Sequence, residues 1–315
     1  MTTSGTTTYS VNETTLIQDA YETATIYDAG SSVSPDDYAL ARRKLNMIAK
    51  QLSGSSDYSP GLKMWARKTG YLFLAKNTGS YSFGPSGDHC TESYAQTTLY
   101  SNAAGGASTV VVSSATGIAN TYYIGIELDS GALQWTTVNG APSGTTVTLT
   151  ATLTSAASSG NTVFCYQTKA RNPIEILSVV RRTSAGLDDP MGFTMSLEQY
   201  ESIQNKERDG VPTDSYWQYG LTNSTVKIDY QPSDATDVLR VVFLSPAEDY
   251  SATTDTIEYP QTFYRYLSAL LARDLCIAFG KVVSPDLKEL IAESGAIAKN
   301  FHSAGGEYFF EPDRT

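Results

Sequence analysis

Residues 122–138 read Tyr122-Tyr123-Ile124-Gly125-Ile126-Glu127-Leu128-Asp129-Ser130-Gly131-Ala132-Leu133-Gln134-Trp135-Thr136-Thr137-Val138. β-branched and aromatic residues fill both halves, and Asp129-Ser130-Gly131 supplies a turn between them, so the stretch is read as strand, turn, strand. The same pattern extends outward. Residues 110–112, 147–153 and 163–166 are further strand-favouring runs, separated by turns such as Asn139-Gly140. About five strands at roughly ten-residue spacing predict a small β-sandwich or barrel over residues 91–168.

Beyond both borders of that module the pattern is looser, then becomes helical. On the N-terminal side, Tyr71, Phe73, Tyr81 and Phe83 alternate around Asn77-Thr78-Gly79, which reads as a hairpin. On the other side, 174–180, 216–221, 225–230 and 239–243 read as strands, with a short capped helix at 196–206 from the Ser196/Gln199 capping box.

The chain ends are helical. Asn12 is an N-cap ahead of Leu16, Ile17, Ala20, Tyr21 and Ala24 at helix spacing. Ser34-Pro35-Asp36-Asp37 places a cap, a first-turn proline and acids at a second start, with Tyr38, Ala41, Leu45, Ile48 and Leu52 as its stripe. Pro260 opens a long helix whose buried face is read as Phe263, Leu267, Leu270, Leu271 and Ile277. Ser284-Pro285-Asp286 opens the last one, to about Phe301. The expected fold is therefore α+β: an antiparallel helical bundle from both chain ends, a central β region and the inserted sandwich or barrel. The expected divisions are 1–90, 91–168, 169–259 and 260–315.

Composition narrows the function. Asp plus Glu number 33 and Lys plus Arg 22, for a net charge of −11. Tight nucleic-acid binding depends on clustered cations, so a DNA relationship is expected to be passage rather than grip. Residues 1–10 carry neither positive charge nor an apolar run, and the apolar stretch 266–283 is broken by Arg273, Asp274 and Lys281, so neither a signal peptide nor a membrane span is expected. Cys90, Cys165 and Cys276 form an odd set without CxxC spacing and are read as free thiols, a Cys90–Cys165 bridge being the alternative.

Chemistry-bearing patterns are sparse. The only histidines are His89 and His302. His89 adjoins Cys90, but neighbours on a strand point to opposite faces, so a structural role is expected; His302 sits where a cation suits a helix C-terminus. Nucleotide-binding glycine motifs and HExxH are absent from the sequence, and no metal, cofactor or catalytic residue is assigned. Asp188, Asp189, Asp234, Asp237, Asp249 and Asp255 are read as solvated loop acids. Lys169, Arg171, Arg181 and Arg182 make the densest basic patch, and Tyr122, Tyr123, Trp135 and Tyr166 are read first as packing and second as a sugar- or protein-binding face. An aromatic ending, Tyr308-Phe309-Phe310, follows Gly305-Gly306.

Three segments together resemble the head-to-tail adaptor proteins of short-tailed bacteriophages, the tail tubular protein A type. They are residues 38–46 (YALARRKLN), the middle run Ser196-Leu197-Glu198-Gln199-Tyr200 with Asn205-Lys206 and Gly210-Val211-Pro212-Thr213, and the ending in which Ile257-Glu258-Tyr259-Pro260 opens a Leu/Ala-rich helix. The 91–168 insert resembles one carried by relatives in environmental phages. The resemblance implies a virion protein made in the bacterial cytoplasm and without catalysis: a ring of twelve copies between the portal protein and the tail nozzle, with double-stranded DNA passing through its channel. On that footing Phe301, Tyr308, Phe309, Phe310 and Arg314 are expected at the portal interface. Arg42, Arg43, Arg181 and Arg182 are expected between subunits. The rival expectations are a glycan- or receptor-binding tail module using the insert, and a glycan hydrolase.

Overall fold

The computed structural model describes residues 5–54, 66–233 and 236–301, the side chains of 54 and 299–301 excepted. Helices open where local chemistry places them. The Asn12 side chain accepts the Thr15 N–H at 2.9 Å and starts α1 (Glu13–Thr23). Ser34 accepts the Asp37 N–H at 3.3 Å ahead of α2 (Pro35–Gly54). The chain divides into two compact units, Met1–Arg67 with Pro246–Thr315, and Lys68–Ser245. The units thus divide at 67/68 and 245/246, whereas the sequence reading divided the chain after 90, 168 and 259.

In the first unit, α4 (Gln261–Ala278) and α5 (Pro285–Phe301) complete the helices, and α3 (Leu197–Glu201) belongs to the second unit. A single apolar cluster gathers Leu16, Ile17 and Tyr21 of α1, Ala41 and Leu45 of α2, Phe263, Leu267 and Leu271 of α4, and Leu287 and Ala298 of α5. Ile277 departs from expectation: it is 65% exposed. The inward positions of the last turn of α4 are Leu275 and Cys276, one turn on from Leu271 and Ala272, and this leaves Ile277 facing out.

The second unit begins with β1 (Arg67–Phe73), β2 (Ser80–Phe83) and β3 (Cys90–Thr91). Next come β4 (Ala95–Thr98), β5 (Thr109–Val111), β6 (Tyr123–Glu127), β7 (Leu133–Thr137), β8 (Thr146–Thr148) and β9 (Thr162–Tyr166). It ends with β10 (Glu175–Arg182), β11 (Asp188–Met191), α3 (Leu197–Glu201), β12 (Asp209–Gly210), β13 (Ser215–Gln218), β14 (Ser224–Ile228), β15 (Gln231–Pro232) and β16 (Val238–Leu244). The capping box at Ser196/Gln199 forms as read, with both reciprocal bonds.

The main sheet runs β11-β10-β16-β1-β3, and a three-stranded sheet runs β13-β14-β2. The hairpin expected at 71–83 does not form. Asn77 does turn the chain, at φ +58°, with the Tyr81 hydroxyl donating to Thr78 O at 2.8 Å. But β1 and β2 then join different sheets, Val226 of β14 pairing with Tyr81. Their apolar faces are satisfied by distant strands, which the local alternation does not specify.

The insert has its own core, drawn from Leu99, Val112, Ile124, Ile126, Val138, Val147, Leu149, Val163 and their neighbours. Its four-stranded sheet runs β4-β9-β6-β7, with β5 and β8 as a separate pair. Single bridges Val138↔Leu149 and Leu99↔Val112 link the two sheets at both edges. The pairing circuit therefore closes into a small barrel and leaves few open strand edges. Entry and exit strands are neighbours, Ala95 facing Cys165.

Candidate functional site

Of the basic residues singled out in the sequence, Arg42, Arg171, Arg181 and Arg182 face acids of the same chain. Arg42 grips Glu13 through two bonds, Nε–Oε1 at 2.7 Å and Nη2–Oε2 at 3.0 Å, and Glu13 is fully buried. α1 and α2 supply one partner each, so the pair fastens two helices to each other. Arg43, next along α2, is exposed.

Arg181 and Arg182 follow from strand register. The antiparallel β10–β11 pairing sets Arg181 opposite Asp189 and Arg182 opposite Asp188. Arg182 holds Asp188 bidentately at 2.7 and 2.9 Å, and Arg240 of β16 adds a bond at 2.9 Å to the same carboxylate. Arg181 bonds Asp189 and, at 2.8 Å, Asp237. The hydrogen-bonded guanidinium of Arg182 holds the Asp188 carboxyl below the usual range. Lys169 bonds Gly87 O, and Arg171 lies 3.7 Å from Glu92. The acids read as solvated are thus engaged: Asp188, Asp189 and Asp237 in this network, Asp249 with Lys50 at 2.9 Å, and Asp255 accepting the N–H groups of Ser251 and Ala252. Asp234 lies outside the described residues.

Of the insert aromatics singled out in the sequence, Tyr122 packs against the insert core, and Tyr123, Trp135 and Tyr166 join a separate cluster with Phe73, Phe164 and Val238, whereas Tyr100 is exposed. Trp135 stacks on His89 with centroids 4.0 Å apart. Gly125 pairs directly with Trp135 across the ladder, and a Cβ at Gly125 would sit 2.8 Å from the indole. With glycine beneath and imidazole above, neither indole face is open for stacking on a sugar. His89 Nδ1 lies 2.7 Å from the Tyr166 hydroxyl. Burial, then the Lys169 charge, pushes the imidazole down to about 4, so it is neutral near pH 7. Cys90, Cys165 and Cys276 are buried free thiols in three separate apolar clusters, which is why the first two do not meet.

The helical unit holds a cleft of about 530 Å3 lined by Tyr9, Asp19, Glu22, Tyr264, Arg265 and Leu290, among others. Gln261, Tyr264, Arg265 and Ser268 of α4 reach it at i, i+3, i+4 and i+7. That second stripe, lying apart from the apolar one, was the signal available in the sequence. Burial and the neighbouring Glu22 raise the Asp19 carboxyl above its ordinary value. Asp19 and Arg265 make no ion pair among the described residues. At the α4–α5 connection, Ile277, Phe279 and Val282 leave an exposed apolar end, Val282 being 91% exposed. Gly280, at φ +65°, closes that turn with Lys281 N–H donating to Cys276 O at 2.8 Å.

Phe301 ends α5, and its side chain lies outside what is described, as do His302, Gly305, Gly306, Tyr308, Phe309, Phe310 and Arg314. Among the described residues no group of three His, Cys, Asp or Glu side chains is placed to hold a metal ion, and no helix is long and apolar enough to cross a membrane. Among its described residues the helical unit presents a cleft of mixed polarity and an exposed apolar end. Comparison with protein-family models and with curated proteins yields no match.

Proposed function

We propose that this chain is the subunit of a head-to-tail adaptor ring of a short-tailed bacteriophage, seated between the capsid portal and the tail nozzle. The observation that carries the reading is the single apolar core shared by residues 11–49 and 247–298, two stretches that the β unit separates in sequence. In this reading the terminal helices are an antiparallel bundle that faces the ring neighbours and the portal. The layout follows the three segments on which the resemblance rests.

Charge supports the same job. Twelve copies at −11 each carry a formal charge of about −132, and the densest cations are neutralised within the chain. Such a wall holds phosphates poorly and lets DNA pass. Ring closure against that repulsion needs apolar contact, for which Ile277, Phe279 and Val282 are available. Arg43 remains as an exposed cation for a neighbour, whereas Arg42, Arg181 and Arg182 already have intrachain partners. Residues 307–315 are assigned to the portal.

Sedimentation of the purified protein, alone and with the portal ring of the same phage, tests the reading. The expected result is a small species alone and a twelve-copy layer on the portal. Absence of association at every ratio would overturn it. Undiminished portal binding after deletion of 307–315 would remove the tail assignment alone.

A further inference from the structure

The loop between β7 and β8 carries a chemical liability that the adaptor function does not use. Asn139-Gly140 is the only Asn-Gly step in the chain. A glycine nitrogen can close on the preceding side-chain amide because no Cβ stands in the way. Both residues are exposed, and a Cβ at Gly140 would meet nothing within 4 Å, so a ring closed there has room.

The reaction needs only water. The Gly140 nitrogen gives up its proton and bonds Asn139 Cγ, while the Cγ–Nδ2 bond breaks and ammonia leaves with that proton. The succinimide so formed is opened by water at either carbonyl, giving aspartate or isoaspartate. Each product adds a negative charge to an already acidic chain. Isoaspartate also lengthens the main chain by one carbon beside the Val138↔Leu149 bridge that joins the two sheets of the barrel.

One neighbour opposes the first step. The Gly140 N–H donates to Asn120 Oδ1 at 2.7 Å. That bond stabilises the protonated nitrogen, and it turns the N–H toward Asn120. The backbone on either side fixes the pair. Thr121 N–H donates to Val138 O, and Val138 N–H donates to Tyr122 O, both at 2.9 Å, which lays residues 120–122 along residues 138–140. Thr121 sits at φ +69°, an outlying conformation for a β-branched residue that persists where the surroundings impose it.

We propose that Asn139 is the deamidation site of this chain and that Asn120 is a positioning residue that sets its rate. An ageing copy is then marked first at the closing edge of its barrel. The proposal rests on the insert alone and is independent of the adaptor reading.

The test follows the folded full chain in mildly alkaline buffer, by peptide mapping that resolves asparagine, aspartate and isoaspartate at each position. In the unaltered chain Asn139 should convert faster than Asn102, which is exposed in the same barrel but precedes Ala103. Asn120→Ala should raise the Asn139 rate roughly fivefold, the worth of one neutral hydrogen bond, and leave Asn102 unchanged. Asn120→Asp keeps an acceptor for the Gly140 N–H and should restore the slow rate. Conversion of Asn139 no faster than that of Asn102 would overturn the site. An effect of Asn120→Ala below about twofold would remove Asn120 from its role. So would an equal rise at Asn102, since that marks general loosening of the barrel.

Discussion

The helical unit and the inserted barrel bury their apolar residues by opposite routes. The barrel core comes from residues 99–165, contiguous in the chain. The helical core joins residues 11–49 to residues 247–298. The first is organised by neighbours in sequence, whereas the second exists only once both chain ends have met. The difference teaches that an insert of this kind is separable, because Ala95 and Cys165 already pair at its base, while neither end of the chain can be removed without opening the other's core.

The largest expected effect breaks that comparison directly. Deleting residues 285–301 should abolish the cooperative thermal transition of the helical signal, because Leu287 and Ala298 leave the shared core. Residues 91–168 expressed alone should melt cooperatively. A non-cooperative melt of the isolated barrel would contradict its autonomy.

Next in size is the ion pair within the helices. Arg42→Met leaves the fully buried Glu13 carboxylate without its cation, and should cost about 3–5 kcal/mol in denaturant unfolding. A loss below about 1 kcal/mol would mean that the pair behaves as a surface contact.

Acid should act on the β unit. Burial and the Lys169 charge lower the folded value of His89 to about 4 from the ordinary imidazole value of 6.5. The unfolded chain therefore takes up the proton first as pH falls. The associated stability is fully present above about pH 6.5 and is lost down to about pH 4, amounting to about 2–3 kcal/mol. His89→Gln should flatten that portion of the stability curve, measured by urea unfolding at a series of pH values.

The smallest effect sharpens the contrast with Arg42. Arg182→Met removes a guanidinium from a partly exposed network in which Asp188 keeps Arg240, and the expected loss is about 1 kcal/mol. The two arginines are about equally exposed, and the depth of their partners separates the outcomes: the Glu13 side chain is 0% exposed and that of Asp188 31%.

Much of the local structure was legible. Asn12, Ser34-Pro35, the Ser196/Gln199 box, Pro260 and Ser284-Pro285 each mark a helix start that forms, because capping is decided by residues three or four apart. The strands of the barrel were legible for a similar reason, their turns lying between consecutive runs. Pairing was less so. Tyr71–Phe73 and Tyr81–Phe83 alternate as a hairpin would, yet their partners include Cys90 and Thr91 on one side and Val226 on the other. The cleft was half legible: its α4 side is the stripe of Gln261, Tyr264, Arg265 and Ser268, but that Asp19 joins it is decided by the packing of α1 on α4.

Acidic charge, element types and most helix starts follow from composition and short-range hydrogen bonding, which depend on nothing farther than the next turn. Only the tertiary structure decided which strands pair, that Arg181 and Arg182 are neutralised at home, that Ile277 faces out, and that the indole of Trp135 is covered on both sides. Each of these depends on which distant surface an element meets, and the period of a helix or strand fixes a face without naming what will cover it.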